Sequence, residues 1–213
     1  MRSAVPPRPA VALLEIHSFG AALVTLDRVE KAAAVQILQA ELNDNYGLLL
    51  KLTGDAGAVR AAAECAREVT QAMQVALTAE VLNVPADGTW RVLESPAEYQ
   101  PLLGQGVVLI PSSENSPMND DQNSAAALGL IETQGFTAAT AATDAACKAA
   151  NVQVIAKEKL GGGYITVIFT GDVAAVTAAV QAGRLAAESV GKLISAYVIA
   201  RPSEGVKRIL TRL

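Results

Sequence analysis

One histidine, His17, and two cysteines, Cys65 and Cys147, are the side chains of this 213-residue chain best suited to chemistry. Histidine acts as a base or ligand near neutral pH only when an orienting acid and a nucleophile or metal stand within reach. His17 has Gln134 as its counterpart in the internal repeat described below, so a structural role is expected for it. The cysteines share no metal-ligand spacing and both fall in helical patterns, which reads as two reduced, partly buried thiols. Glu15 and Glu132 resemble the paired carboxylates of general acid–base catalysis, yet they are repeat equivalents and are expected to play matching structural parts. The run Gly161-Gly162-Gly163 is not a phosphate loop, because no Lys-Ser/Thr pair follows to hold phosphate and metal. The chain therefore reads as a non-enzyme, with no catalytic residue, no metal site and no cofactor.

Composition narrows the class further. A formal charge of -4 offers no basic stripe for nucleic acid, so that partner is set aside. No stretch of about 18 uninterrupted apolar residues occurs, so no membrane span is expected. Met1 to Ala10 is proline-rich and lacks the basic-then-apolar pattern of a secretory leader, which fits a cytoplasmic location. With 51% hydrophobic content the chain can bury one large core or two small ones, and its length favours two domains.

Self-similarity decides between them. Thr53-Gly54-Asp55 returns as Thr170-Gly171-Asp172, an offset of 170 − 53 = 117, and that offset aligns Leu13 to Pro85 with Leu130 to Pro202 without a gap. Phe19 with Phe136, Asp27 with Asp144, Lys31 with Lys148 and Arg67 with Arg184 are among the identities. Each copy opens on a strand, Val11 to Ile16 or Leu128 to Glu132, and continues into an alanine-rich helix ending near Ala33 or Ala150. A short β-branched strand follows (Val35 to Leu38, Val152 to Ile155), then a strand alternating with period 2 through Leu48, Leu50 and Leu52 or Ile165, Val167 and Phe169. Asp55 and Asp172 stand where an N-cap carboxylate would accept the free N–H groups of the second helix. Val173, Val176, Val180, Gly183, Ala187 and Val190 step along one apolar face of that helix. A last strand, Leu193 to Ala200, precedes a tail helix through Ile209 and Leu210. The order is βαββαβ twice, an α/β (α+β) class of two tandem ferredoxin-like domains in unpermuted order. The bounds expected are a tail at 1–10, a first domain with its C-terminal extension at 11–103, a linker at 104–124 and a second domain at 125–213. Pro96 to Leu103 reads as a short helix, and Pro111 to Ser124 as a polar, turn-rich connection.

The second copy carries Ala127-Leu128-Gly129-Leu130-Ile131-Glu132-Thr133-Gln134-Gly135-Phe136, then Lys148-Ala149-Ala150-Asn151-Val152, Leu160-Gly161-Gly162-Gly163 and Ile199-Ala200-Arg201-Pro202, in that order. In this it resembles the bacterial microcompartment shell domain; the first copy is a weaker match. Two such domains in one chain resemble the tandem members of the family. The resemblance implies a structural shell subunit: a homotrimer imitating a hexagonal tile, packed beside other shell proteins in a microcompartment shell in the cytoplasm, with small metabolites crossing a central pore. Stacking of a second trimer stays open. The resemblance also implies that the turn Leu160, Gly161, Gly162 and Gly163 lines the pore, alternating with Asn43, Asp44, Asn45 and Tyr46 of the first copy, where the family's glycines are missing. Three Asp44 carboxylates near the axis would favour cations. Neither turn holds a cysteine, so no iron–sulfur cluster is expected there. Lys31, Lys148, Asn151 and Arg201 match tile-edge positions, and Val84 replaces the edge arginine in the first copy. A small-molecule sensor built from tandem ferredoxin-like domains is the alternative reading, since fold alone does not fix function.

Overall fold

Period-2 alternation over six to eight residues, broken by alanine-rich segments whose apolar residues step by three and four, makes each copy a sheet with helices on one face. The computed structural model describes residues 9–43, 47–95, 108–109 and 126–212. In the first copy the order is β1 (Ala10–Ile16), α1 (Phe19–Ala32), β2 (Gln36–Asn43), β3 (Gly47–Gly54), α2 (Ala56–Ala72), β4 (Leu77–Leu82) and α3 (Asp87–Leu93). A two-residue strand, β5 (Val108–Leu109), precedes the second copy. That copy comprises β6 (Ala127–Gln134), α4 (Phe136–Ala149), β7 (Gln153–Lys159), β8 (Tyr164–Gly171), α5 (Val173–Val190), β9 (Lys192–Ile199) and α6 (Glu204–Arg212). Among the described residues the two antiparallel sheets run β2-β3-β1-β4 and β5-β7-β8-β6-β9. Removing β5 leaves the same order in both, the arrangement expected of two unpermuted βαββαβ units.

Both second helices begin as their sequences require. Asp55 accepts the N–H groups of Gly57 and Ala58, and Asp172 accepts that of Ala175 at 2.8 Å. Between sheet and helices lies each core: Ala12, Leu14, Ile16, Leu50 and Val59 in the first, Ile131, Phe169, Val176 and Ala142 in the second. The apolar stripe expected on α5 is shorter than its pattern. Val176, Ala179, Val180, Gly183 and Ala187 are buried, whereas Val173 and Val190, at the two ends of the helix, are exposed beyond the sheet.

Three further points depart from expectation. Cys147 is exposed and Cys65 half-buried, because Cys147 lies on the outer face of α4, away from its own sheet. Helix α3 was not anticipated; it lays Trp90 and Leu93 over Val11 and Leu13 on the sheet face opposite α1 and α2. In the span expected to be only a connection, β5 adds a strand to the edge of the second sheet through β7. The expected helix from Pro96 to Leu103 lies outside the described residues.

Candidate assembly interface and pore turn

The sheet face of the second copy that turns away from α4 and α5 carries Leu128, Leu130 and Glu132 on β6, with Ser195 and Tyr197 on β9. Helix α1 of the first copy ends against it. The Ser18 hydroxyl donates to Glu132 Oε2, the Phe19 N–H donates to Oε1 at 3.3 Å, and the Ser195 hydroxyl donates to Oε2 at 3.2 Å. Ser18 also caps α1 by accepting the N–H of Ala21 at 3.1 Å. A carboxylate at a helix N-terminus is favoured by the free N–H groups and the helix dipole. Burial nonetheless pushes the Glu132 carboxyl above its usual range, opposed by these hydrogen bonds. Tyr197 is pushed up as well, by burial and by the neighbouring Glu132.

Farther along α1 the contact passes to the turn before α6 and to α6 itself. Asp27 Oδ1 accepts the Ser203 N–H at 2.9 Å, Glu30 Oε2 accepts the Gly205 N–H at 3.0 Å, and Lys31 Nζ donates to the Arg201 carbonyl at 2.5 Å. Val206, Ile209 and Leu210 of α6 join the apolar cluster of the first copy. The outer face of α1 is thereby buried: Phe19, Gly20, Leu23 and Asp27 are all covered.

Adding 117 gives the same positions on α4: Phe136, Thr137, Thr140 and Asp144. All four are exposed, Phe136 to 63% against 0% for Phe19. The sheet face of the first copy that corresponds to the covered one is covered only in part, by α3 over Val11 and Leu13. Thr78 and Glu80 are exposed and Leu13 and Glu15 half-covered, and Glu15 Oε1 accepts a 3.3 Å bond from Asn43 Nδ2. One interface is closed within the chain; of a second, related interface the α4 half lies bare and the sheet half is covered only around Val11 and Leu13.

The family profile of the BMC domain matches residues 10–85 and 127–202. The chain belongs to the BMC-domain family. Relatives of this BMC-domain chain include the bacterial microcompartment shell protein PduA of Salmonella typhimurium, 50% identical over 86 residues that make up 40% of this chain and 92% of PduA. The carboxysome shell protein CsoS1A of Hydrogenovibrio crunogenus is 50% identical over 86 residues, 40% of this chain and 90% of its own. A microcompartment protein of Desulfitobacterium hafniense DCB with a solved structure is 25% identical, covered over 94% of this chain and 99% of its own, with a TM-score of 0.37. PduA is a shell protein of a bacterial microcompartment and CsoS1A of a carboxysome, and this BMC-domain protein is likewise a structural shell-family member and not an enzyme.

In this BMC-domain chain the turn between β7 and β8 is a single 3-10 turn over Gly161–Gly163. Gly162 and Gly163 take φ of +71 and +81, a conformation that disfavours other residues. The turn is tied to the start of α4, since Gly135 N–H donates to the Gly163 carbonyl at 2.8 Å and Gln134 Nε2 to that of Gly162 at 3.2 Å. Its glycines are on the surface, but the Leu160 side chain turns into the core and is 5% exposed, so it offers no side chain to an opening. Asn43 ends β2 facing Glu15; Asp44, Asn45 and Tyr46 lie outside the described residues. Of the edge positions, Lys31 and Arg201 come together across the two copies, while Lys148 meets only Asp144, at 2.7 Å, and Asn151 and Val84 are exposed. His17 holds its place through a backbone bond to Ala76, its N–H donating at 3.2 Å.

Reading residues alone missed Ser18 and Ser195, whose hydroxyls complete the seat of Glu132, and Lys51. The last is buried, with Nζ 2.6 Å from Glu41, 2.9 Å from Gln39 Oε1 and 3.3 Å from the Leu93 carbonyl. A lysine in the middle of an otherwise apolar strand was the available signal for it. Among the described residues, no three His, Cys, Asp or Glu side chains gather in a way that could hold a metal ion, and no helix is long and apolar enough to cross a membrane.

Proposed function

We propose that this protein is a tile of a bacterial microcompartment shell, in which three chains close a ring of six BMC domains around a central opening for small metabolites. The observation that carries this reading is the pair of unfilled half-interfaces, one on α4 and one on the part of the first sheet that α3 leaves open. Phe19 is wholly buried against the second copy, and its equivalent Phe136 stands 63% exposed, while the matching sheet face of the first copy keeps Thr78 and Glu80 exposed. Burying a phenylalanine side chain contributes about 1.5–3 kcal/mol, so leaving Phe136 in water is costly unless a neighbour covers it. A head-to-tail contact that repeats the relation between the two copies turns each domain by about one sixth of a circle and closes after three chains.

In such a ring the glycine turns of three second domains alternate about the axis with the turns 43–46 of three first domains. Backbone amides at Gly162 and Gly163 suit hydrogen bonding to anionic or polar metabolites, and three Asp44 carboxylates oppose that preference. Lys31 with Arg201, and Lys148 with Asn151, lie on the outer rim where tiles meet one another and other shell proteins. Native mass spectrometry should find a trimer of three 22.0 kDa chains. A stable monomer or dimer as the only species across micromolar concentrations would overturn the ring.

A further inference from the structure

The two interfaces that such a ring contains are related by the repeat, yet their side chains differ as a matched set. Within the chain, Gly20 sits so close to the acceptor face that a Cβ placed on it would lie 3.1 Å from Ser195 Oγ and 3.5 Å from Tyr197 Cδ2. The tyrosine ring occupies the room that glycine leaves. On the bare halves, Thr137 stands where Gly20 does and Glu80 where Tyr197 does, so bulk has moved from the acceptor to the donor side. Charge has moved with it. Ser18, whose hydroxyl serves Glu132, is replaced by Gly135, and Ala40 is replaced by Lys157. The Lys157 ammonium lies 5.6 Å from the centre of the Phe136 ring. Phe136 is the residue whose equivalent, Phe19, donates its N–H to Glu132, and the counterpart of Glu132 across the bare seam is Glu15.

Resting on the ring reading above, we propose that the seam between chains is held by Lys157 of one chain against Glu80 and Glu15 of the next, and that this set permits only alternation of first and second domains. The partner is a second copy of this chain. The ammonium replaces the missing Ser18 hydroxyl as the donor to the Glu15 carboxylate, while Phe136 covers the part of Leu13 that Trp90 and Leu93 leave open. Thr137 fits beside Glu80, which is slimmer than a tyrosine, and its hydroxyl is placed to donate to the carboxylate. A seam between two second domains would drive Thr137 into Tyr197 and Ser195, where a Cβ alone is already in contact, and would leave Lys157 one carboxylate, Glu132, with a neutral ring in place of Glu80. A seam between two first domains would set Gly20 against Glu80, leaving a gap and two carboxylates, Glu15 and Glu80, with Ala40 in place of a cation. Specificity of this kind comes from penalties on the wrong pairs as much as from the right one.

The test is a charge exchange followed by native mass spectrometry and sedimentation at about 0.05 M and about 0.5 M salt, where screening of an exposed pair differs strongly. Lys157→Glu and Glu80→Lys alone should each weaken the trimer by about tenfold or more at low salt, and the two together should restore it to within about threefold. Unchanged far-UV circular dichroism of each single variant separates lost pairing from lost folding. A second pair needs no charge: Glu80→Tyr should weaken the trimer, and Thr137→Gly added to it should recover it. Single variants that assemble like the wild type at both salts, or exchanges that fail to recover, overturn the proposal while leaving the ring intact. A wild-type protein that never forms a trimer overturns the ring itself, and the pair with it.

Discussion

Glu41 and Glu158 are one residue of the repeat in two settings. Glu41 is bound by Lys51 at 2.6 Å, whereas in the second copy Ile168 stands where the lysine would be. Neither oxygen of buried Glu158 makes a well-formed hydrogen bond, nor does the hydroxyl of Thr166, its cross-strand neighbour. A buried carboxyl without a cation is more stable with its proton, and burial pushes Glu158 from an ordinary 4.5 up to about 7, with the Lys159 backbone N–H opposing weakly. The folded state then holds a proton that the unfolded chain releases. Stability associated with Glu158 is full below about pH 4.5 and falls as pH rises to about 7, and Glu132, also raised, acts with the same sign. Glu158→Gln keeps the shape without the charge. Urea midpoints measured from below pH 4.5 to above pH 7 should therefore fall less steeply for this variant than for the wild type, and equal slopes would remove Glu158 as the cause.

At the scale of elements, the second copy packs its helices more closely than the first. Gly183 on α5 faces α4 where the first copy has Ala66, and a Cβ there would lie 2.5 Å from Ile131 Cδ1 and 2.8 Å from the Ala142 carbonyl oxygen. The Ile131 methyl can turn aside, but a helix backbone cannot without moving the helix. Gly183→Ala gains about 1 kcal/mol of helix propensity and loses about 1–3 kcal/mol to overpacking, so the melting temperature should fall. Gly88→Ala, with no atom within 4 Å of the added carbon, is the control and should melt at the wild-type temperature or slightly above. These elements were largely legible beforehand. The 117-residue offset carried strand alternation and the Asp55 and Asp172 caps from one copy to the other, and both sheets follow that register. The same offset would have found α3, since Asp87 plus 117 is Glu204, the first residue of α6. It could not say where each helix goes. Trp90 and Leu93 find Val11 and Leu13 on their own sheet, while Val206, Ile209 and Leu210 find the other copy, a choice made by long-range packing that a local pattern does not encode. The seat of Glu132 was hidden for the same reason, because Ser18 and Glu132 are 114 residues apart.

On the scale of the whole molecule, the proposed ring has two unequal kinds of rim. Lys31 is held by Asp27 at 2.7 Å and by the Arg201 carbonyl, whereas the side chain of Lys148 is 75% exposed and bound to Asp144. An isolated surface ion pair contributes about 0–1 kcal/mol, so replacing Lys148 should leave the fold and the trimer intact. In the proposed trimer, Lys148→Asp reverses the charge on three of the six rim positions and sets two acids, Asp144 and the new one, one helical turn apart. Electron microscopy should then find fewer and smaller sheets at unchanged trimer mass, and sheets formed as readily as by the wild type at several salt concentrations would place Lys148 away from the rim.

The seat of α1 also sets an order of events during synthesis. Its Lys31 is bonded to the Arg201 carbonyl 170 residues later, and Phe19 and Leu23 stay uncovered until the sheet and tail helix of the second copy have been made. At roughly 5–20 residues per second, the ribosome leaves that apolar surface waiting for about 9–34 s. During this interval a nascent first domain presents the same bare helix face that α4 presents in the finished chain, and neighbouring chains on one polysome are within reach of it. The spacing of ribosomes on the message thus bears on whether each first domain is claimed by its own second domain or by another's.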